Sequence, residues 1–215
     1  MKNYYKKVFT NVLNIYTVLG VLILIVATVF ILSPLYPYIW FQLNNDALAS
    51  EQTNVETLVE NIKEEDKVKN TNTLGIPKKD SSLSNVNKLI IPSIGINGNI
   101  NENINSARGL EKGIWRVSEW GDPLNNTNSI ILASHRFGYL TWSRDFRKKN
   151  SFENLPKTKV GDKIEIIWDQ RKFVYEIYKS QEGVKITEYK ADLILYTCKT
   201  LNSEIRIFRY AKRVE

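Results

Sequence analysis

A long uncharged segment near the N-terminus limits what this chain can fold into. No charged residue occurs between Val8 and Asn45, and Val12–Leu32 within that stretch is predominantly apolar. About 20 apolar residues are enough for a helix to cross the hydrocarbon layer of a bilayer. The segment therefore predicts a transmembrane helix over residues 12–32.

The charges on either side of this segment predict its orientation. The charged residues before it are basic, namely Lys2, Lys6 and Lys7, and the first ones after it are acidic, namely Asp46, Glu51 and Glu56. Positive charges are retained on the cytoplasmic side of a membrane. We therefore expect residues 1–11 in the cytoplasm and the chain after the helix outside the cell membrane.

A cleaved signal peptide is the competing interpretation, with Ala47–Ala49 as the small-residue cleavage site. The apolar run is longer than the roughly 7–15 residues of a signal-peptide core, so an uncleaved anchor is favoured. Both interpretations export the rest of the chain.

The composition after the anchor predicts a tether and then one folded domain. Residues 33–86 contain an aromatic interfacial segment, an amphipathic stalk and a polar spacer with too few large apolar residues to fold alone. From residue 87 the composition changes, and 87–215 is the predicted extracytoplasmic domain.

Short β-branched runs predict that this domain is mainly β, with one or two short helical turns before residue 158. Their number and spacing favour a barrel or a sandwich. The runs are Asn87–Ile100, interrupted at Pro92 and Gly95, then Ser129–Ser134, Asp162–Asp169, Arg171–Ser180, Asp192–Cys198 and Glu204–Val214.

The net charge of +7 favours a negatively charged partner such as a lipid or wall surface. The sequence contains no helix-turn-helix, zinc-knuckle or RNP-like pattern, so nucleic acid is not expected as a partner.

Cys198 is the single cysteine of the chain. Exported proteins usually keep cysteines in disulfide pairs, and an unpaired one indicates an intermolecular bridge or a reactive thiol. His135, the single histidine, ends one predicted strand as Cys198 ends another. A neighbouring imidazolium stabilises a thiolate, so the two side chains are candidate nucleophile and base.

Arg206 is the third candidate. Strand alternation puts Arg206 on one face with Phe208, and Arg209 on the other face with Ile207. A charge that interrupts an apolar strand needs a partner or a role, and a guanidinium near the nucleophile could stabilise an oxyanion. A solvated strand face is the alternative explanation for Arg206.

Together these motifs resemble the sortase family of cysteine transpeptidases. Ile194–Cys198 resembles the TLxTC strand end of the family, Arg206 opens the next strand, and Ser134–Arg136 takes the place of its GHR motif. LIIPSIGI at the start of the domain and SFENLPKTKVGDKIEII in its middle are also similar. Ile194 replaces the usual threonine and Ser134 the usual glycine.

The resemblance implies a closed or nearly closed β-barrel of about eight strands with short helices. It also implies a thioester on Cys198, proton transfer by His135, substrate and oxyanion binding by Arg206, and substrate contacts from Thr197 and Ala133. The implied partners are exported proteins with an LPxTG-like C-terminal sorting signal and an amine acceptor, either a wall precursor or a pilin lysine. No metal or other cofactor is expected, and calcium stimulation stays open.

Two other functions fit parts of the sequence. An L,D-transpeptidase also uses cysteine, but its SHGC-like run, with histidine two residues before the cysteine, is absent. A membrane-tethered adhesion or wall-binding domain would keep Cys198 as inert packing.

Overall fold

The computed structural model describes residues 2–43, 74–125, 128–201 and 203–215, and the chain divides into two units, residues 1–40 and 41–215. The first unit is mainly the helix α1 (Lys2–Leu32), followed by a 3₁₀ turn (Ser33–Leu35) and the start of α2 (Tyr36–Leu43). Within it, Leu13–Leu35 is long and apolar enough to cross a membrane, with a mean hydropathy of 2.9. The predicted stalk, the first part of the spacer and the candidate cleavage site lie outside the described residues.

The described residues of the second unit form eight strands and two short helices. The helices are α3 (Ser106–Glu111) and α4 (Arg144–Asn150). The strands are β1 (Lys88–Ile91), β2 (Ile96–Asn101), β3 (Ile114–Arg116), β4 (Ile130–Ala133), β5 (Lys163–Trp168), β6 (Arg171–Gly183), β7 (Leu193–Cys198) and β8 (Arg206–Arg213).

The strands close into a barrel in the order β1-β2-β3-β4-β7-β8-β6-β5, with β5 pairing back onto β1. Two neighbouring pairs, β2 with β3 and β4 with β7, are parallel, and the other pairs are antiparallel. The predicted eight-stranded β-barrel with short helices and an N-terminal apolar helix is confirmed.

Local chemistry explains the turns and helix starts. Asp169 and Gln170 have φ of 48° and 55°, which suits the two-residue turn between antiparallel strands. Pro92–Ile94 forms a 3₁₀ turn that reverses the chain, so the predicted Ile-rich strand is two antiparallel strands. The side chains of Asn105 and Ser143 accept hydrogen bonds from the first turns of α3 and α4 as N-caps.

The barrel buries apolar side chains on both faces of the strands. All eight strands contribute to the interior cluster, which includes Leu89, Ile166, Phe173 and Leu195. A second cluster covers the outer face of β3, β4, β7 and β8. Its members are Leu110, Trp115, Val117, Ile131, Ala133, Ile186, Ala191, Ile194, Tyr196, Phe208 and Tyr210, with Trp120 and Tyr189 packed against them.

Part of the predicted spacer hydrogen-bonds to the barrel. The Arg213 guanidinium donates to the carbonyl oxygens of Leu74, at 3.4 Å, and Gly75, at 2.6 Å. The backbone N–H of Asp80 donates to the carbonyl of Gln170 at 2.8 Å. Residues 74–87 therefore lie against the barrel.

Helix α4 packs closely on β2 because Gly98 has no side chain. A Cβ at this position would lie 2.7 Å from the carbonyl oxygen of Lys149 and 2.6 Å from the side-chain oxygen of Asn150. In turn, the carbonyl of Asn150 accepts a hydrogen bond from the Ser134 hydroxyl at 2.8 Å. Gly98 thus helps to set the position of the residues that follow β4.

We predict that Gly98→Ala destabilises the barrel, because the new methyl group overlaps backbone that cannot rotate away. Overpacking of this kind costs about 1–3 kcal/mol of unfolding free energy. Urea denaturation of the full chain in detergent, followed by tryptophan fluorescence, measures the change. Gly75→Ala is the control, since its Cβ meets nothing within 4 Å. Equal stability of the two variants would contradict the prediction.

Candidate active site

Cys198 and Arg206 are direct partners across two antiparallel strands. Cys198 is the last residue of β7, Arg206 is the first of β8, and the two are paired in the register. The N–H of Lys199 donates to the carbonyl of Ile205 at 2.9 Å, so Lys199 and Ile205, the neighbouring pair, are the hydrogen-bonded one. The pair of Cys198 and Arg206 is then a non-hydrogen-bonded one, in which side chains approach most closely, with Cβ atoms about 4.5–5.5 Å apart.

His135 reaches the same rim from β4. Strands β4 and β7 are parallel, with Ala133 opposite Tyr196. The alignment continues past the end of β4, because the Thr197 hydroxyl donates to the carbonyl oxygen of Ser134 at 2.8 Å. His135 and Cys198 thus each come directly after a pair of aligned residues, Ser134 and Thr197, on neighbouring strands.

The side chains of Cys198 and Arg206 share one face of the sheet. Alternation along β7 puts Cys198 on the side of Tyr196, and alternation along β8 puts Arg206 on the side of Phe208. Both aromatic residues belong to the outer cluster. The structure therefore brings the predicted thiol and guanidinium together at one end of the outer face, beside the strand end that carries His135.

The environments of the three groups differ. Cys198 is partly exposed, whereas His135 and Arg206 are each only 3% exposed. The Arg206 guanidinium donates to the carbonyl oxygen of Ser203 in the β7–β8 loop. The ion pairs found among the described residues do not include Arg206.

The structure gives Arg209 a different position. Its guanidinium donates to the Thr158 hydroxyl at 2.7 Å and to the carbonyl of Pro156 at 3.1 Å. Burial lowers the pKa of Arg209 from its ordinary value, but an arginine remains charged at neutral pH. Arg209 thus ties β8 to the segment before β5, on the face opposite Cys198.

Thr197 and Ala133, the predicted substrate contacts, are both buried. Thr197 is 2% exposed and points to the face opposite Cys198, where its hydroxyl links β7 to the end of β4. Strand alternation thus directs its side chain away from the thiol, and the expected substrate contact of Thr197 stays a prediction. Ala133 is on the same face as Cys198 but only 1% exposed.

Aromatic side chains around His135 were not foreseen from the sequence. The Tyr139 hydroxyl lies 3.3 Å from Nε2 of His135, and the two rings meet edge to face at 5.3 Å between centroids. Trp142 and Phe146 extend this cluster, with neighbouring centroids 5.0–5.4 Å apart. The spacing of aromatic residues at 139, 142 and 146, soon after the histidine, is a signal that could have indicated them.

No group of three or more His, Cys, Asp or Glu side chains in the described part of the chain is arranged to hold a metal ion. The three candidate side chains are those of acyl transfer, with a nucleophile, a proton carrier and a fixed cation.

Solved structures share the fold of the second unit. The crystal structure of the complex of Streptococcus agalactiae sortase C1 and MTSET aligns with a TM-score of 0.51 and 22% identity, over 60% of this chain and 68% of that chain. Sortase A from Corynebacterium diphtheriae, as a lid mutant, aligns with a TM-score of 0.50 and 19% identity, over 61% and 71%. At these identities the likeness shows the fold alone. No curated protein matches the sequence.

The family assignment comes from the sequence of the barrel. A family model described as a sortase domain matches residues 89–214, from β1 to just beyond β8. This range contains Cys198, His135 and Arg206. Because the match covers more than half of the chain, the protein belongs to the sortase family of cysteine transpeptidases.

Proposed function

We propose that this protein is a membrane-anchored sortase that cleaves an LPxTG-like sorting signal and transfers the exported protein to an amine. The observation that carries the proposal is the cross-strand pair of Cys198 and Arg206, beside the strand end that bears His135. Family membership supports the reaction class. The residue roles rest on this geometry and on the chemistry of acyl transfer.

In the first half of the reaction, the Cys198 thiolate attacks the carbonyl carbon of the Thr–Gly bond in the sorting signal. The carbonyl oxygen becomes an oxyanion, and the Arg206 guanidinium stabilises its charge. When the C–N bond breaks, the proton on the His135 imidazolium goes to the leaving amine. The C-terminal tail departs, and the exported protein is held as a thioester on Sγ.

In the second half, an amine attacks the thioester carbonyl and His135 accepts its proton. The C–S bond breaks, the thiolate is regenerated, and a new amide bond joins the exported protein to the acceptor. A covalent intermediate divides one difficult transfer into two easier steps. The proposed acceptors are a cell-wall precursor and a pilin lysine, both of which supply a primary amine.

The strand geometry supports the proposed role of Arg206. Arg206 is 3% exposed and the Ser203 carbonyl accepts one of its N–H groups. A guanidinium held in this way needs little reorganisation when negative charge develops, and electrostatic stabilisation is larger where water is excluded.

We predict that the full chain in detergent cleaves peptides carrying an LPxTG-type sequence between Thr and Gly. Cys198→Ala removes the nucleophile and should abolish cleavage while the barrel stays folded. Liquid chromatography with mass spectrometry identifies the cleavage products, and intact mass spectrometry detects the thioester on the wild-type chain. A scrambled peptide is the control. Failure to cleave any such peptide, together with a Cys198 that reacts no faster than free cysteine, would favour a binding domain with an inert thiol.

We predict opposite effects from the two arginines of β8. Arg206→Gln should lower kcat/KM by about 100-fold or more, as expected for loss of an oxyanion donor, and should slow alkylation of Cys198 at neutral pH. The matched control Arg209→Gln loses the hydrogen bonds to Thr158 and Pro156. It should lower the unfolding temperature and leave the turnover of the folded fraction near that of the wild type. The reverse pattern would assign the catalytic role to Arg209.

The proposed location is the cell membrane, with a single span, residues 1–11 in the cytoplasm and the barrel outside. The apolar helix over Leu13–Leu35 supports a membrane anchor. The lysines before it and the acidic residues after it support this orientation.

We predict that a membrane-impermeant maleimide labels Cys198 on intact cells of a host without an outer membrane. Because the chain has a single cysteine, the labelling reports on which side of the membrane Cys198 lies. A Cys198→Ala chain that also carries Asn3→Cys is the matched control and should label only after lysis. Labelling of the wild-type chain only after lysis would reverse the proposed orientation. Recovery of a shortened chain in the medium would favour the cleaved signal peptide.

A further inference from the structure

The segment between β4 and α4 folds back over His135. Its Tyr139 hydroxyl lies 3.3 Å from Nε2 of the imidazole, and the two ring planes meet at 85°. Tyr139 is half-buried, whereas His135 is 3% exposed. The phenol therefore contacts the proposed proton carrier through both its ring edge and its hydroxyl.

Contacts from two directions hold this segment in place. The Arg147 guanidinium donates to the carbonyl oxygens of Tyr139, at 2.8 Å, and Trp142, at 3.3 Å. The Trp142 indole N–H donates to the carbonyl oxygen of Glu111 at 3.1 Å. Gly138 has φ of +72°, and a Cβ there would lie 2.3 Å from the Trp142 ring. The position of the Tyr139 hydroxyl is thus set by packing and backbone hydrogen bonds.

The backbone of His135 is held as well. Its carbonyl oxygen accepts a hydrogen bond from the N–H of Phe152 at 3.0 Å, and the neighbouring Ser134 hydroxyl donates to the carbonyl of Asn150 at 2.8 Å. With the backbone fixed, rotation about the side-chain bonds is the main freedom left to the imidazole. A hydrogen bond to Nε2 restricts that rotation.

We propose that Tyr139 is a positioning residue that accepts a hydrogen bond from Nε2–H of His135 and so assigns proton exchange with Cys198 to Nδ1. The inference rests on the proposed function of His135 as proton carrier. A proton on Nε2 leaves Nδ1 as the basic nitrogen in neutral imidazole, and the imidazolium keeps the same Nε2–H bond. A base oriented by a third group is a recurring arrangement in nucleophilic catalysis.

The orienting group here is a neutral hydroxyl among cations. Arg136 follows His135 in the chain, Arg147 is hydrogen-bonded to the Tyr139 carbonyl, and Arg206 is the cross-strand partner of Cys198. Under the proposed function, the imidazolium meets the Cys198 thiolate at the rim. A phenol fixes the ring without adding a charge that competes with that thiolate.

The test compares Tyr139→Phe with the wild type in the full chain, in detergent and without a histidine tag. Phenylalanine keeps the ring edge and removes only the hydroxyl. His135 is the single histidine and Cys198 the single cysteine of the sequence. The imidazole signals in long-range ¹H–¹⁵N spectra and the alkylation rate therefore each report one residue.

We predict three changes in Tyr139→Phe. The ring Nε2–H proton signal, protected in the wild type, should be lost to solvent exchange. Alkylation of Cys198 at neutral pH should slow, and kcat for the sorting peptide should fall while KM is unchanged. Both rates should drop about 3- to 10-fold, the size expected for one hydrogen bond. Tyr178→Phe, a change on β6 at a side chain 37% exposed, is the matched control and should alter none of the three.

A protected ring proton with wild-type alkylation and kcat in Tyr139→Phe would overturn the proposal. If that variant fails to fold, Arg147→Gln decides, because it releases the carbonyls of residues 139 and 142 and keeps the hydroxyl. In Arg147→Gln, loss of the ring-proton signal, slower alkylation and a lower kcat support the proposal. Unchanged values of all three overturn it. If the wild type cleaves no sorting peptide, the proposed function fails, whereas the ring signal and the alkylation rate still test the contact between Tyr139 and His135.

Discussion

The parallel pairing of β4 with β7 is the interaction on which the candidate site depends. It sets Ala133 opposite Tyr196, and the hydrogen bond from Thr197 to Ser134 carries the alignment past the last paired residues. A shift of one residue would turn the Cys198 side chain to the other face of the sheet. Apolar burial on both faces of β7 opposes such a shift, because it would exchange the interior residue Leu195 for Tyr196.

Most of the barrel could be predicted because most of its strands are runs of β-branched and aromatic residues. The hairpin of β5 and β6 and the pair of β7 and β8 were visible in this way. Strand β3 was missed because it has three residues, too few for a periodic pattern. Helix α3 was missed because it has six residues and is stabilised by the Asn105 cap and by packing on β3.

The candidate site could be predicted in part. Alternation alone separated Arg206 from Arg209, since the two faces of one strand follow from local geometry. The contact between Tyr139 and His135 was not predicted. The aromatic spacing after the histidine could have indicated the side chains, but the contact itself depends on a loop held by Arg147 and Trp142. Thr197 was assigned to the substrate by resemblance, which stays a prediction; its hydrogen bond to the Ser134 carbonyl was not indicated by the sequence. Contacts between distant segments of the chain were therefore the part of the site that the sequence did not provide.

The hydrogen bond between Thr197 and Ser134 joins positions 63 residues apart, and this separation affects when the thiol becomes reactive. In an unfolded chain, Cys198 has neither the strand partner Arg206 nor the imidazole nearby, so its nucleophilicity is that of an ordinary cysteine. Contacts between distant positions form late because loop closure must come first. Under the proposed function, the thiol would thus become a strong nucleophile only once the barrel closes and brings Arg206 and the strand end with His135 beside it.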